Sequence, residues 1–340
     1  MKTGKALALA QQSEETLRTR PCPSCYLCGE RGEAVYKALR DGLFGTPGAW
    51  NLKRCPAPEC GLWWLDPMPL EEDIGKAYAQ YYTHAAVPPN AFKKGNGKLL
   101  LWLLHSVHDL LLGVTSIQRE RRRLSLMYLD GVSPGRVLDV GCGDGARLAR
   151  LRSLGWDVTG QEMDPEAALR ARQTYGIHVH LGPLNEAEFK VGEFDAIIMN
   201  HVIEHVYDPV RLLADCNRLL RKGGTLVVVT PNAESCGHER FGSSWRGLEP
   251  PRHLYLFNQS TLLEVARRAG FSGLDVCTTP ANAEALASGS VGIRSGENKP
   301  LDLGRKLKQG VLSCQYQLRW QLVYRKDKNS GEECVLKAMC

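Results

Sequence analysis

The chain has no run of about 20 largely uncharged apolar residues, which a membrane-crossing helix needs. Its first residues do not read as a secretion signal. Met1–Ala10 carries two lysines, but its apolar stretch Ala6–Ala10 is too short for a signal core, and polar Gln11–Glu15 follows. No internal repeat is visible, so a stacked-repeat architecture is excluded. A positive charge spread over the whole chain is missing too. Of the net +6, +5 falls in residues 91–125, where Lys93, Lys94, Lys98, Arg119, Arg121, Arg122 and Arg123 stand against Asp109 and Glu120. The remainder is nearly neutral, which excludes a general nucleic-acid-binding surface. Apolar residues are not scarce: at 43% they suffice for a packed core, so the chain does not read as disordered. Its 340 residues suggest two domains, or one large domain with an appendage. Without an export signal the expected compartment is the reducing cytoplasm. There, clustered cysteines bind metal or act in redox more often than they form disulfides.

Composition divides the chain. Residues 1–20 are polar and read as a disordered tail, and residues 21–92 as a small module rich in Cys, Pro, Gly and Trp, with residues 71–83 as a short helix. Residues 93–130 are a helical linker. Within it, 98–125 is a helix whose apolar stretches Leu99–Leu104 and Leu110–Leu112 are flanked by basic clusters. Two readings stay open: a helix packed on its own protein, or residues 98–123 resting on the anionic inner membrane surface.

Residues 131–340 alternate strands and helices, the pattern of βαβ units and a parallel sheet. Strands are expected at Arg136–Val140, Trp156–Gln161, Ile177–Leu181, Phe194–Met199 and Thr225–Thr230, with late strands at Leu274–Thr278 and Glu333–Ala338. Helices are expected at Ala146–Leu154 and Pro165–Tyr175, and from Pro209 with Asp208 as N-cap and Gly223-Gly224 as stop. A further helix, Ser260–Ala269, carries a capping box at Thr261-x-x-Glu264, and residues 281–330 read as an insertion.

The most informative line is Arg136-Val-Leu-Asp-Val-Gly-Cys-Gly-Asp-Gly145, a strand running into three glycines and a helix. Glycines let a ligand approach the backbone, and this is where a doubly wound sheet binds a cofactor. Glu162 ends the next strand, where a carboxylate can accept hydrogen bonds from two ribose hydroxyls. The spacing Gly141-x-Gly143-x-x-Ala146 also satisfies the dinucleotide fingerprint. Asp139 argues against NAD, because a carboxylate beside a pyrophosphate is repelled in a site of low dielectric. It suits S-adenosylmethionine, whose sulfonium and ammonium are positive.

Val137-Leu-Asp-Val-Gly-Cys-Gly-Asp-Gly145 resembles motif I of the class I SAM-dependent methyltransferases. The resemblance runs from Arg136 to Phe271 in order and spacing. It takes in Phe194-Asp-Ala-Ile-Ile, Asn200-His-Val-Ile-Glu-His-Val206, Leu220-Arg-Lys-Gly-Gly-Thr-Leu and Thr230-Pro-Asn232. It implies that Asp139, Gly141 and Gly143 contact the methionine end, Glu162 the ribose and Leu184 the adenine. Cys142, Gly145, Met163 and Asn200 would complete the cofactor site. Pro183-Leu184-Asn185 departs from the acidic residue many members carry near the adenine. Cys142 itself reads as a small side chain in a tight turn, since no base stands beside it in sequence.

His201-Val-Ile-Glu204-His205 matches a reversed zinc-protease pattern, but it follows a parallel strand and Pro209 limits any helix there. The resemblance instead puts this segment beside the transferred methyl, where the enzyme must position the acceptor and take its proton. Imidazole suits that task, so His201, Glu204 and His205 are candidate catalytic residues. A second region, Ser235 to Phe257, is long for a loop and offers His253 as a further catalytic candidate. Trp245, Arg246 and Arg252 are its candidate acceptor contacts, with a structural lid as the competing reading.

Five of the twelve cysteines lie within Cys22–Cys60. Cys25-x2-Cys28-Gly and Cys55-x4-Cys60-Gly have the spacing of a tetrahedral four-cysteine zinc site, with Cys22 as a possible substitute for Cys25. Four thiolates leave no open position, so the zinc is expected to be structural. Arg54-Cys-x4-Cys-Gly-Leu-Trp-Trp-Leu-Asp-Pro with Tyr81-Tyr82 resembles the zinc-binding segment preceding methyltransferase domains in bacterial sugar and surface-polysaccharide pathways. The expected architecture is a zinc-ribbon-like module, a linker, and a Rossmann-like, mostly parallel α/β domain. The expected reaction is methyl transfer from S-adenosylmethionine to oxygen or carbon of a small-molecule, sugar or lipid-linked acceptor. The alternatives are a zinc-containing NAD-dependent oxidoreductase and a non-catalytic zinc-ribbon binding protein.

Overall fold

The computed structural model describes residues 17–78, 117–296 and 303–340. The expected tail up to residue 16, the end of the expected module (79–92) and the linker up to residue 116, with most of the expected helix 98–125, lie outside the described residues. The chain begins with β1 (Thr19–Arg20), β2 (Glu33–Leu39), β3 (Trp50–Arg54), β4 (Trp63–Leu65) and β5 (Met68–Pro69). The α/β region supplies β6 (Arg136–Val140), β7 (Asp157–Glu162), β8 (His178–Leu181), β9 (Phe194–Asn200) and β10 (Leu220–Pro231). Then come β11 (Tyr255–Leu256), β12 (Ser272–Thr279) and β13 (Glu333–Met339).

The large sheet has the order β12-β13-β10-β9-β6-β7-β8. Neighbours from β10 to β8 are parallel, and β13 runs antiparallel between β10 and β12. This is the class I methyltransferase fold that the sequence resemblance implies. The central strand β9 is buried on both faces, with Ala196, Ile197, Ile198 and Met199 at 0% exposure. That explains its continuous apolar run. Alternation divides it between two cores: Ile197 and Met199 face one, Ala196 and Ile198 the other.

Helix starts are written locally. Asp164 caps Pro165–Tyr175 by accepting from the amides of Glu166 and Ala167, and Asp208 caps Pro209–Leu219 by accepting from Arg211. Two local expectations are corrected. The helix Gln259–Arg268 is capped by Asn258 in a box with Thr261, while Glu264 pairs with Arg267 and Arg268 on the exposed surface. Gly223-Gly224 does not stop a helix. The helix ends at Leu219, and the glycines lie where β10 shifts register between Leu220 and Thr225. The expected insertion holds the helices Ala283–Ser295 and Leu303–Lys326.

Thr19 and Arg20, placed in the tail by composition, pair with Pro69 and Met68, so the ordered module starts earlier. Of the expected helix 71–83, residues 71–78 are described, and Ile74–Tyr78 form a 3-10 helix. The small sheet has the order β11-β4-β3-β2, and β11 comes from the loop after β10. Module residues Leu52, Leu62, Trp63, Trp64 and Leu65 join the same core as Ile197, Met199 and Phe257. No helix among the described residues is long and apolar enough to cross a membrane.

Candidate active site and cysteine cluster

The glycine loop lies at the carboxyl end of β6. Gly141, Gly143 and Gly145 have φ of +71°, +57° and +79°, a region L side chains avoid. A Cβ on Gly141 would come within 2.5 Å of Val202, whereas one on Gly143 would meet nothing within 4 Å. Glu162 is held by three amides: Oε2 accepts from Gly143 (2.7 Å), and Oε1 accepts from Met163 (2.8 Å) and Asp164 (3.0 Å). Cys142 packs on Gly160, leaving no space there for a Cβ, and burial pushes its thiol pKa up. An inert side chain in a tight turn fits this placement.

Asp139 is fully buried beneath the loop. Its Oδ2 meets Arg147 Nη1 at 3.4 Å, while Oδ1 has no partner among the described residues. Burial raises its pKa to about 6, Arg147 opposes that, and the charge of Glu162 adds to it. An unpaired carboxylate oxygen under an open glycine loop fits the positive end of a cofactor. Leu184 is buried, Asn200 half-buried at the end of β9, and Met163 exposed.

His201 follows β9 with φ +55°, a strained value for a non-glycine residue. Its ring is clamped between two carboxylates, Nδ1 to Glu204 Oε1 (3.1 Å) and Nε2 to Glu333 Oε1 (2.7 Å). Desolvation alone would lower its pKa, but the hydrogen bonds and charges of Glu204 and Glu333 raise it to about 10. Asn282 donates to both oxygens of Glu333, and Thr230 donates to Glu204 Oε2 at 2.9 Å. Burial would raise the Glu204 pKa, yet His201, and then His205 and His253, pull it down to about 2.

His205 Nδ1 lies 3.0 Å from the carbonyl oxygen of Arg252 and 2.9 Å from the Tyr78 hydroxyl. His253 Nδ1 lies 2.8 Å from the carbonyl oxygen of Gly247. A carbonyl oxygen only accepts, so the His253 Nδ1 carries the hydrogen, and the His205 Nδ1 carries it when it donates to Arg252. The two rings stand edge to face with centroids 4.7 Å apart. Burial, then the neighbouring His205, lower the His253 pKa to about 4.

The expected acceptor contacts are placed differently from the sequence reading. Trp245 is 1% exposed and stacks on His238, and Arg252 is 0% exposed. The Arg252 guanidinium bonds Asp41 at 2.9 Å twice and Glu249 at 3.1 Å. A side chain so enclosed does not face an acceptor. Both are corrected to interior residues of the loop, because long-range partners absorb their polar atoms. Arg246 is half-buried against Gly289, with its amide donating to Ser290. Sequence reasoning missed Glu333, Asn282, Tyr78 and Asp41, which reach this region from distant segments, and Glu249, which lies in the same loop three residues before Arg252.

Cys25, Cys28, Cys55 and Cys60 come together, their sulfurs all within 4.8 Å of one another. Cys25 and Cys60 sulfurs are 3.6 Å apart, and those of Cys28 and Cys55 are 3.3 Å apart. These are too long for disulfides and close to the edge, about 3.8 Å, of a tetrahedron with metal–sulfur bonds near 2.3 Å. Gly29 and Gly61, at φ +79° and +71°, turn the chain after Cys28 and Cys60. Cys22 is outside the set, its amide donating to Asp66 and its carbonyl accepting from Trp64.

Comparisons with known proteins give partial matches. The chain is 33% identical over 132 residues to an uncharacterized 37.1 kDa protein in transposon TN4556 of Streptomyces fradiae, covering 36% of this chain and 38% of that protein. It is 31% identical over 151 residues to a ubiquinone biosynthesis O-methyltransferase of Cereibacter sphaeroides, covering 41% of this chain and 61% of that one. It thus spans less than two thirds of the length of these relatives. A SAM-dependent methyltransferase structure from Archaeoglobus fulgidus has a TM-score of 0.45 at 16% identity, covering 72% of this chain and 100% of that one. Residues 115–276 match the family described as a methyltransferase domain.

Proposed function

We propose that this protein transfers a methyl group from S-adenosylmethionine to a nucleophilic oxygen or carbon of a small-molecule, sugar or lipid-linked acceptor. The observation that carries this reading is the buried Asp139, with one carboxylate oxygen unpartnered among the described residues beneath the open glycine loop. A cationic sulfonium or ammonium group satisfies that oxygen, whereas the pyrophosphate of NAD would be repelled by it. Glu162 would take the ribose hydroxyls with its remaining lone pairs, and Leu184 would pack on the adenine. Gly141, Cys142, Gly143, Gly145, Met163 and Asn200 would line the rest.

The acceptor's proton is assigned to the group formed by Glu204, His205 and His253, of which His205 is the less buried histidine. His201 is not assigned that task. Both its nitrogens are occupied and its pKa stands near 10, so it orients Glu204 and the turn that carries His205. The four-cysteine cluster fits a structural zinc, with every position filled by thiolate. Calorimetry with S-adenosylmethionine and with NAD tests the reading. Saturable binding of the first alone is expected, and binding of NAD alone would overturn it.

A further inference from the structure

Glu204, His205 and His253 each bring one ligand atom to within 4.8 Å of the others. The three come from separate places: the turn after β9 carries the first two, and the loop after β10 the third. Their surroundings prepare them for one task. Nδ1 of His253 donates to the carbonyl of Gly247, which leaves that ring's lone pair on Nε2; Nδ1 of His205 lies 3.0 Å from the Arg252 carbonyl and 2.9 Å from the Tyr78 hydroxyl, and donation to that carbonyl leaves its lone pair on Nε2 as well. Metal-binding imidazoles are held in this way, the second nitrogen donating to a carbonyl or carboxylate. The Glu204 carboxylate is likewise oriented, by Thr230 on one oxygen and His201 on the other.

We infer that Glu204, His205 and His253 form a second metal site, binding one divalent first-row cation through two imidazole nitrogens and a carboxylate. This rests on the proposed methyl transfer for its purpose and deepens it. Two histidines and one carboxylate leave coordination positions open, unlike the closed four-thiolate set. A hydroxyl ligated there has its pKa lowered by the cation, so the favoured acceptor is one that presents a hydroxyl oxygen. With the cation bound, His205 is a ligand and not a free base.

The probe is Mn2+, followed by electron paramagnetic resonance on the full chain. Manganous ion takes nitrogen and oxygen donors and leaves thiolates aside, so the cysteine cluster does not contribute. One bound Mn2+ per chain is expected, with echo modulation from coordinated imidazole nitrogen. Its affinity should fall at least tenfold in His205→Gln and in Glu204→Gln. Absence of bound Mn2+ in the native protein, absence of nitrogen modulation, or undiminished affinity in both variants would overturn the inference. The modulation needs no variant, so a substitution that fails to fold does not remove the test. Calorimetry with S-adenosylmethionine on the same preparation separates the two ideas. Cofactor binding without Mn2+ removes only the metal site, and Mn2+ binding without cofactor removes only the methyl-transfer reading.

Discussion

Arg252 and Asp41 meet in the interior, 211 positions apart in sequence, through two parallel hydrogen bonds of 2.9 Å. The Phe44 ring lies under the guanidinium, and Glu249 takes its Nε. This ties the N-terminal module to the loop that carries His253. Removing one member of a buried pair leaves the other charge uncompensated, at about 3–5 kcal/mol. Arg252→Met is therefore expected to lower the unfolding free energy by that order in denaturant titrations. Asp41→Asn should cost less, because Glu249 still faces the guanidinium. A loss below about 1 kcal/mol in Arg252→Met, the range of exposed pairs, would show that the pair does not lock the loop.

Cofactor affinity should depend on pH through Asp139. Its carboxyl titrates near 6 in place of 3.8, so below pH 6 the unliganded site is largely protonated and neutral. A cationic ligand favours the ionised form and lowers that pKa on binding. Affinity for S-adenosylmethionine should therefore rise with pH up to about 6, by as much as tenfold per unit, and level off above it. The stability sign is opposite. A raised folded pKa gives a contribution present below 3.8 and lost as pH rises through about 6, so the thermal shift produced by cofactor should grow over that interval. Asp139→Asn should flatten the profile. A native affinity constant from pH 5 to 7 would remove Asp139 from the contact.

The features legible in the sequence were those written in short segments. Strand β6 with its glycines, the Asp164 and Asp208 caps and the two cysteine pairs each depend on residues a few positions apart. What was hidden depends on long-range pairing. Glu333 reaches His201 across 132 positions, and nothing in the apolar pattern of β13 announces an ion pair at its start. Tyr255 and Leu256 were read as loop because two residues make no pattern, yet they become strand when Trp64 and Trp63 offer an edge. Trp245 and Arg252 looked like surface because their polar atoms demand partners. The partners are Glu332, and Asp41 with Glu249, all inside the protein.

Gly143→Ala tests whether the space above the loop belongs to a ligand. A Cβ there touches nothing within 4 Å, so the protein loses only the cost of an L residue at φ +57°, about 1–2 kcal/mol. The expectation is a folded variant, by circular dichroism and a modest fall in melting temperature, with cofactor affinity reduced at least tenfold. Gly141→Ala differs, since its Cβ would collide with Val202 and cost stability as well. Native affinity in Gly143→Ala would place the cofactor elsewhere.

The cysteine cluster and the loop that carries His253 are linked through β4. Cys60 is followed by Trp63 and Trp64, which pair with Leu256 and Tyr255, and the Leu65 amide donates to the Leu254 carbonyl at 3.0 Å. His253 is the next residue back. Stripping a structural zinc removes the bond that holds the two knuckles together and leaves thiols that cannot replace it, so β3 and β4 lose their anchor. Among the described residues strand β11 pairs with no strand but β4, and should loosen with it. Asp139 and Glu162 sit on β6 and β7, which among the described residues pair within the large sheet. Chelation is therefore expected to speed amide exchange at residues 63–65 and 254–257 and to cut methyl transfer, while S-adenosylmethionine affinity changes less than threefold. Exchange at 254–257 that stays at the native rate after the zinc is gone would break the link between module and loop. Cofactor affinity that falls in step with zinc content would mean that the cluster supports the whole fold and not the acceptor side alone.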